Sequence, residues 1–405
     1  YSEVISNNLK KETLPVKESL GRVLAKDIIS SIDVPSENNA AMDGYAFNSK
    51  VLSLNHEEFV ELKVIGQIFA GEKKIISDNS QSCFQITTGA IMPSNCDTVI
   101  PQEYVELKND KIKFSRIAVN PSDNRRLKGE DLSLGKVALK SGRIIKPSDL
   151  GLLASLGVDK ISVYRKLRVA FFSTGNELSP LGERLTDGSI YDSNSYTIFG
   201  MLKRIDVEII DMGIVPDDPI ILETAFRKAT QLSDVVITSG GVSVGEADYT
   251  KNVMKKIGDV DFWKVAMRPG RPMVFGRIWA DERKKNDDFS LLFGLPGNPV
   301  AVMVTFYIFV KEALINMMGS KNYNSNLVYL KSHNSFKKKP GRTEYRRGKI
   351  ITSSNKLSSV MLTGAQGSGI LSSMSDADCL IVLDHDIIEI KVGEMVPVLI
   401  FDGLV

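Results

Sequence analysis

Hydrophobic and polar positions change rhythm several times along the chain, and each change marks a different kind of element. Residues 12–30 space Leu14, Val16, Leu20, Val23, Leu24 and Ile28 in an imperfect helical period broken by Pro15 and Gly21, which predicts one or two short helices. Over 59–101 the rhythm shortens to strand-like runs, chiefly 59–65 and 97–100, separated by Gly and Pro turns; a compact β-rich unit is expected. A charge-dense stretch, 123–131, then leads to Pro147 and Asp149, which can open a helix through Leu156 that Gly157 ends.

From 168 to 319 strands and helices alternate. The apolar run 169–173 has the uninterrupted character of a strand buried on both faces. It is followed by a helical pattern at 196–205, a strand at 207–214, and a helix opened by Asp218 and Pro219. Beyond these come a strand at 235–238, a Gly-rich turn, a helix near 248–257, strand-like pieces at 262–267, 272–278 and 290–295, and a helix from Asn298–Pro299 to Met318. Repeated βα units predict a mostly parallel sheet covered on both faces, with its functional loops at the carboxyl ends of the strands. After about 322 the helical rhythm stops, and short runs at 328–330, 344–351, 359–362, 380–383, 387–392 and 396–401 predict a small β sandwich or barrel.

With 405 residues, 43% hydrophobic and 25% charged, the chain has the composition of an ordinary soluble multidomain protein. Its formal charge of +2 gives no general affinity for nucleic acid, so an anionic ligand has to be met locally. Cys83, Cys96 and Cys379 lie far apart without CxxC spacing, which excludes a disulfide framework and a thiolate zinc site and fits a reducing compartment. His56, His333 and His385 are equally scattered, against a histidine metal centre. The uncharged run 291–310 has the length of a membrane span, but Pro296, Gly297 and Pro299 interrupt it, and it reads as a buried helix. The run Lys337, Lys338 and Lys339 reads as solvated surface.

Candidate chemistry collects at predicted strand ends. In 238–248 the residues Ser239, Gly240, Gly241, Ser243 and Gly245 form a loop whose backbone N–H groups can approach a phosphate, although Glu246 and Ala247 replace the Lys-Ser/Thr of a Walker A loop. A tight turn that needs glycines is the plainer explanation. Lys264, Arg268 and Arg271 flank a Pro-Gly turn suited to clamping anionic oxygens. Pro296, Gly297, Asn298 and Pro299 lead a strand end directly into a helix N-terminus, which capping alone would also explain. Glu177, Asp217 and Asp248 are carboxylates on the same expected edge, and carboxylates near phosphates call for a hard divalent cation such as Mg²⁺. Concurrence points to phosphate or pyrophosphate chemistry on a small molecule.

Seven strings, in order, carry a resemblance that covers nearly the whole chain: AMDGYA at 41–46, TGAIMP at 88–93, KGEDL at 128–132, STGNEL at 173–178, SGGVSVGEADYTK at 239–251, MRPGRP at 267–272 and LPGNPVA at 295–301. Together they resemble the molybdopterin molybdenumtransferases, the MoeA proteins and the E domain of gephyrin. The resemblance implies a multidomain α/β plus β fold: an extended helical linker domain (1–42 and 132–167), an inserted β-rich domain (43–131), a three-layer α/β domain with a mostly parallel sheet (168–322) and a C-terminal β-barrel-like domain (323–405). It implies a cytoplasmic homodimer with an inter-subunit active site and a Mg²⁺-dependent reaction, in which molybdate attacks adenylylated molybdopterin, AMP leaves and molybdenum cofactor forms. By the same resemblance, Asp43, Thr88 and Asp131 face Glu177, Asp217, Asp248, Lys264, Arg268, Arg271, Pro296 and Pro299 across the dimer, with Glu177, Asp217 and Asp248 as metal ligands. Strings at 340–347 and 367–371 also look familial and would lie near the pterin end of the cleft. Family members often carry lysine where this chain has Arg268 and Arg271, and some carry Asp where it has Asn176.

Implied partners are the molybdopterin adenylyltransferase and molybdoenzyme-maturation proteins, with neither nucleic acid nor membrane. Two other readings stay open on the residues: a gephyrin-like scaffold binding partner peptides, and a molybdopterin adenylyltransferase-type enzyme. The AMDGYA and TGAIMP regions weigh against the latter, because simpler adenylylating enzymes lack them.

Overall fold

The computed structural model describes residues 9–54, 57–72, 81–241, 249–281, 289–321, 327–353 and 356–401. The chain first runs outward and later returns beside itself. Lys11–Pro15 pairs antiparallel with Lys160–Tyr164, Ile28–Ile29 with Val137–Leu139, and Asn39–Ala40 with Arg125–Arg126. Between the outgoing and returning legs stands a six-stranded sheet, in the order Thr98–Pro101, Gly44–Phe47, Ser82–Ile86, Phe59–Ile68, Lys111–Ser115, Glu106–Lys108.

No α-helix forms over 12–30, contrary to the helical spacing of its apolar residues. Strand pairing takes the backbone groups of Lys11–Pro15 instead, and only a single 3₁₀ turn, Val16–Glu18, follows. Val16 and Leu24 are buried against Leu139, Ile145, Leu153 and Ile161, so tertiary packing decides the conformation over local period. Among its described residues the linker is therefore mostly extended, with one α-helix, Pro147–Ser155.

The α/β part contains β1 (Arg168–Thr174), α1 (Ser193–Lys203), β2 (Glu208–Val215), α2 (Pro219–Leu232), β3 (Val235–Ser239), α3 (Tyr249–Ile257), β4 (Gly258–Lys264), β5 (Pro272–Trp279), β6 (Phe289–Leu295) and α4 (Pro299–Thr305). The sheet order is β2-β1-β3-β6-β5-β4; the first four strands are parallel, and β5 and β4 form an antiparallel edge. One face packs Val169, Phe171, Ile237 and Phe293 against α1 and α4; the other packs Ala170, Phe172, Val236 and Leu292 against α2 and α3. This is why the run at 169–173 shows no alternation. Phe172 and Phe226 meet edge to face with ring centroids 5.0 Å apart.

Helix starts follow from single side chains. The Asp218 carboxylate accepts the Ile220 and Ile221 amides at 2.9 and 3.0 Å, with Pro219 behind it. Asp192 caps α1 in the same way, starting it a few residues earlier than its apolar pattern indicates. α4 continues through a π-helical turn, Phe306–Val310, into Lys311–Met317. The whole stretch Pro299–Met317 is long and apolar enough to cross a membrane, yet 67% of its apolar window is buried inside the protein, as a core helix is.

Beyond 327, five strands close into a barrel: Thr343–Ser353, Lys356–Leu362, Val328–Ser332, Met395–Ile400 and Cys379–Leu383, the last pairing back to the first. The expected strand at 387–392 shrinks to Glu389–Ile390. Lys338 is not solvated surface but only 7% exposed, because its ammonium donates to the carbonyls of Lys339, Arg342 and His385. All three cysteines are buried and none forms a disulfide.

Candidate functional site

The carboxyl ends of β1, β3 and β6 share one edge of the sheet, and the antiparallel hairpin brings the end of β4 and the start of β5 to that edge as well. The turn joining that hairpin carries Arg268 and Arg271. Sheet topology is thus what places the arginines beside the strand ends Ser173–Thr174, Ser239–Gly240 and Leu295–Pro296. Gly270 has φ +96°, and a Cβ there would meet Thr305 Cγ2 at 2.5 Å, so the turn lies directly on α4.

A cavity of about 570 Å³ opens at this edge, and Glu177, Arg268, Arg271, Pro296, Gly297 and Asn298 all line it. Six expected site residues therefore meet in one place. Ser239, Gly240, Gly241, Asp217, Lys264 and Pro299 lie at the same edge but do not line the cavity. Ser239 is 1% exposed and faces inward: the Asn194 side-chain amide donates to its hydroxyl and to the Gly297 carbonyl, both at 2.7 Å. That amide ties the end of β3 to the end of β6. Gly240 donates its N–H to the Leu295 carbonyl at 3.2 Å and reinforces the same join. Thr174 donates its hydroxyl to the Asp217 carboxylate, whose backbone N–H is held by the Asn176 side chain at 3.1 Å.

Ser243, Gly245 and Asp248 fall outside the described residues. Among the described residues no three carboxylate, histidine or cysteine side chains gather as a metal site. Glu177 and Asp217 nevertheless offer the hard oxygen donors a divalent cation takes, and Glu177 does so on the cavity wall.

Asp43 and Thr88 form their own unit in the inserted sheet. Asp43 Oδ1 accepts the Thr88 amide at 2.6 Å and the Thr88 hydroxyl at 2.8 Å, and these bonds, the amide first, hold the carboxyl below the usual carboxylate range. Asp131 stands on the loop after Gly129, its amide bonded to the Val34 carbonyl at 3.1 Å. None of Asp43, Thr88 and Asp131 lines the arginine cavity of its own chain.

The barrel supplies cavity residues that lie far away in sequence. Gln366, Gly367 and Ser368 complete the cavity wall, and the Ser368 carbonyl accepts the Val300 amide in the first turn of α4 at 3.1 Å. Arg347 is fully buried and shapes that loop, donating to the Ala365 and Gly367 carbonyls at 2.7 and 3.1 Å. No local spacing links 347 or 366–368 to the strand ends; the signal for them is the resemblance carried by 340–347 and 367–371, and the fold brings 366–368 to the cavity. A second, larger cavity of about 720 Å³ lies between α1 and β2, but Leu178, Leu181, Tyr196 and Phe199 with Glu183 and Asp211 make it apolar and acidic, unsuited to an oxyanion.

Residues 2–157 match the MoeA N-terminal region (domain I and II), 170–316 the molybdopterin binding domain described as probable, and 329–401 the MoeA C-terminal region (domain IV). The chain is 39% identical over 396 residues to the molybdopterin molybdenumtransferase of Haemophilus influenzae, covering 97% of this chain and 94% of that protein. It is 34% identical over 366 residues to the protein of the same name from Nostoc, covering 90% and 82%. Among solved structures, a molybdopterin biosynthesis MoeA protein from Pyrococcus horikoshii superposes with a TM-score of 0.80 at 28% identity, covering 98% of this chain and 97% of that one.

Proposed function

The chain belongs to the MoeA family of molybdopterin molybdenumtransferases, enzymes of molybdenum cofactor biosynthesis, and from that premise we propose that it inserts molybdate into adenylylated molybdopterin with release of AMP. One observation carries the reading: two guanidinium groups and one carboxylate share a single cavity of about 570 Å³ at the strand ends of an α/β sheet.

In this reading Arg268 and Arg271 bind the tetrahedral dianion and neutralise it, each presenting a planar fork of N–H donors. Lys264, at the end of β4, adds positive potential at the same edge. The N–H of Gly241 and the positive end of the helix that starts at Pro299 receive the phosphate end of the substrate, while the Gly240 and Val300 amides stay bonded to the Leu295 and Ser368 carbonyls. Pro296 and Gly297 hold the cavity floor, fixed from below by Asn194. The oxygen donors of Glu177 and Asp217, with Asp248, suit Mg²⁺, which would screen the phosphoanhydride as its bond to AMP breaks. Asp43, Thr88 and Asp131 reach the cleft from the partner subunit of a homodimer, where the amide and hydroxyl of Thr88 keep Asp43 ionised and oriented.

Purified protein incubated with adenylylated molybdopterin, molybdate and Mg²⁺ is expected to release AMP only when molybdate is present. AMP release that ignores molybdate, or none at all, overturns the reading.

A further inference from the structure

The turn that carries Arg268 is also a strand of the barrel. Met267–Arg268 pairs in parallel with the start of Thr343–Ser353, placing Arg268 directly beside Glu344. Glu344 is 6% exposed and held firmly: its Oε2 accepts Arg346 Nε at 3.0 Å and Nη2 at 2.9 Å. Arg346 is fixed in turn by the Lys337 carbonyl at 2.7 Å and the Phe336 ring at 5.1 Å. The other carboxylate oxygen, Oε1, stands 3.7 Å from Arg268 Nη1, inside ion-pair range but longer than a hydrogen bond. The acid is held by Arg346, whereas the Arg268 side chain is 68% exposed.

Arg268 stands at the boundary of two spaces. A small cavity of about 210 Å³, lined by Arg268, Glu344 and Arg346, shares Arg268, Pro269 and Gln366 with the oxyanion cleft. One guanidinium therefore has two possible anionic partners, one on each side.

We propose that Glu344 is the internal counter-ion of Arg268, a positioning residue that competes with the bound oxyanion and so limits how tightly the cleft holds it; this rests on the oxyanion reading given above. With the cleft empty, the carboxylate keeps the guanidinium at the cavity mouth. When a dianion enters, Arg268 turns from Glu344 toward the ligand, and the acid, still satisfied by Arg346, takes the guanidinium back as the ligand leaves. A planar guanidinium has N–H groups on more than one side, so it can lean either way without leaving the turn.

Isothermal titration with molybdate alone separates the possibilities. Glu344→Gln is expected to bind molybdate about threefold more tightly than wild type, the size set by a partly exposed ion pair, with the gain largest at low salt. Glu344→Asp keeps the charge for Arg346 but draws it back from Arg268, so it moves affinity in the same direction even if the glutamine variant folds poorly. In an Arg268→Ala background the gain disappears, which a general loosening of the barrel would not produce. Unchanged or weaker binding in both Glu344 variants, or a gain that survives in Arg268→Ala, overturns the inference alone. Wild-type protein that binds no molybdate overturns the oxyanion cleft and this inference with it.

Discussion

At Gly240 a methyl group would lie 2.3 Å from the Thr174 carbonyl oxygen, and the backbone there has φ +92°. Both the space and the dihedral refuse a side chain, so β1 and β3 can end side by side only with glycine at this position. Gly297, facing it, is different: a Cβ would find nothing nearer than the Gly240 Cα at 3.9 Å. Gly240→Ala should cost about 2–4 kcal/mol and Gly297→Ala less than about 1 kcal/mol, measured by denaturant unfolding. Equal losses would mean that the strand-end join is not what these glycines secure. Read in the sequence, the two looked alike, each a glycine in a turn between strand and helix; only the distance to the neighbouring strand separates them.

Among the elements, those whose signal is local were legible before the structure. Asp218 and Pro219 announce α2, Gly157 closes Pro147–Ser155, and the unbroken apolar run announces β1 as a central strand. Elements fixed by distant partners were not, as the extended path of 12–30 and the burial of Lys338 illustrate. The same held for the site: the arginine turn and the proline-led helix start were visible as motifs, whereas 340–347 and 367–371 were set near the cleft by the resemblance alone, because their place there depends on the barrel folding back. A cluster joining elements shows the point in energetic form. Asp234, just before β3, accepts both terminal nitrogens of Arg165, at 2.7 and 2.8 Å, and the Arg168 amide at 2.8 Å. Burial pushes its carboxyl up, but the Arg165 guanidinium and the Arg168 amide outweigh that and hold it below the ordinary range. A carboxylate depressed in the folded state stabilises above its unfolded pKa of about 3.9, and that contribution is lost as pH falls through the lower folded value. Asp234→Asn should therefore lose about 2–3 kcal/mol at neutral pH and show a flatter loss of stability below pH ~4 than wild type. Parallel acid unfolding curves for the two proteins would contradict this role.

For the whole molecule, the paired outgoing and returning legs carry the inserted sheet, and its Asp43 and Thr88 do not line the cleft formed by the same chain's Arg268 and Arg271. If complete sites form between subunits, Asp43→Ala and Asp248→Ala homodimers are both inactive, and each heterodimer carries one intact site. Equal mixing should then recover about a quarter of wild-type AMP release, since half of the dimers are mixed and each has one of two sites. Heterodimers that form yet stay inactive would place all these residues in one subunit's site.

The two-residue strand Met267–Arg268 has a consequence of another kind. Because the arginine turn is hydrogen-bonded into the barrel, with the Thr343 amide on the Ala266 carbonyl at 3.0 Å, a displacement of the barrel would carry Arg268 with it. If a ligand in the cleft favours one position of the barrel, fixing the barrel there tightens the cleft to the same free-energy extent. The C-terminal module would then act as a lever whose fulcrum is the two-residue strand Met267–Arg268.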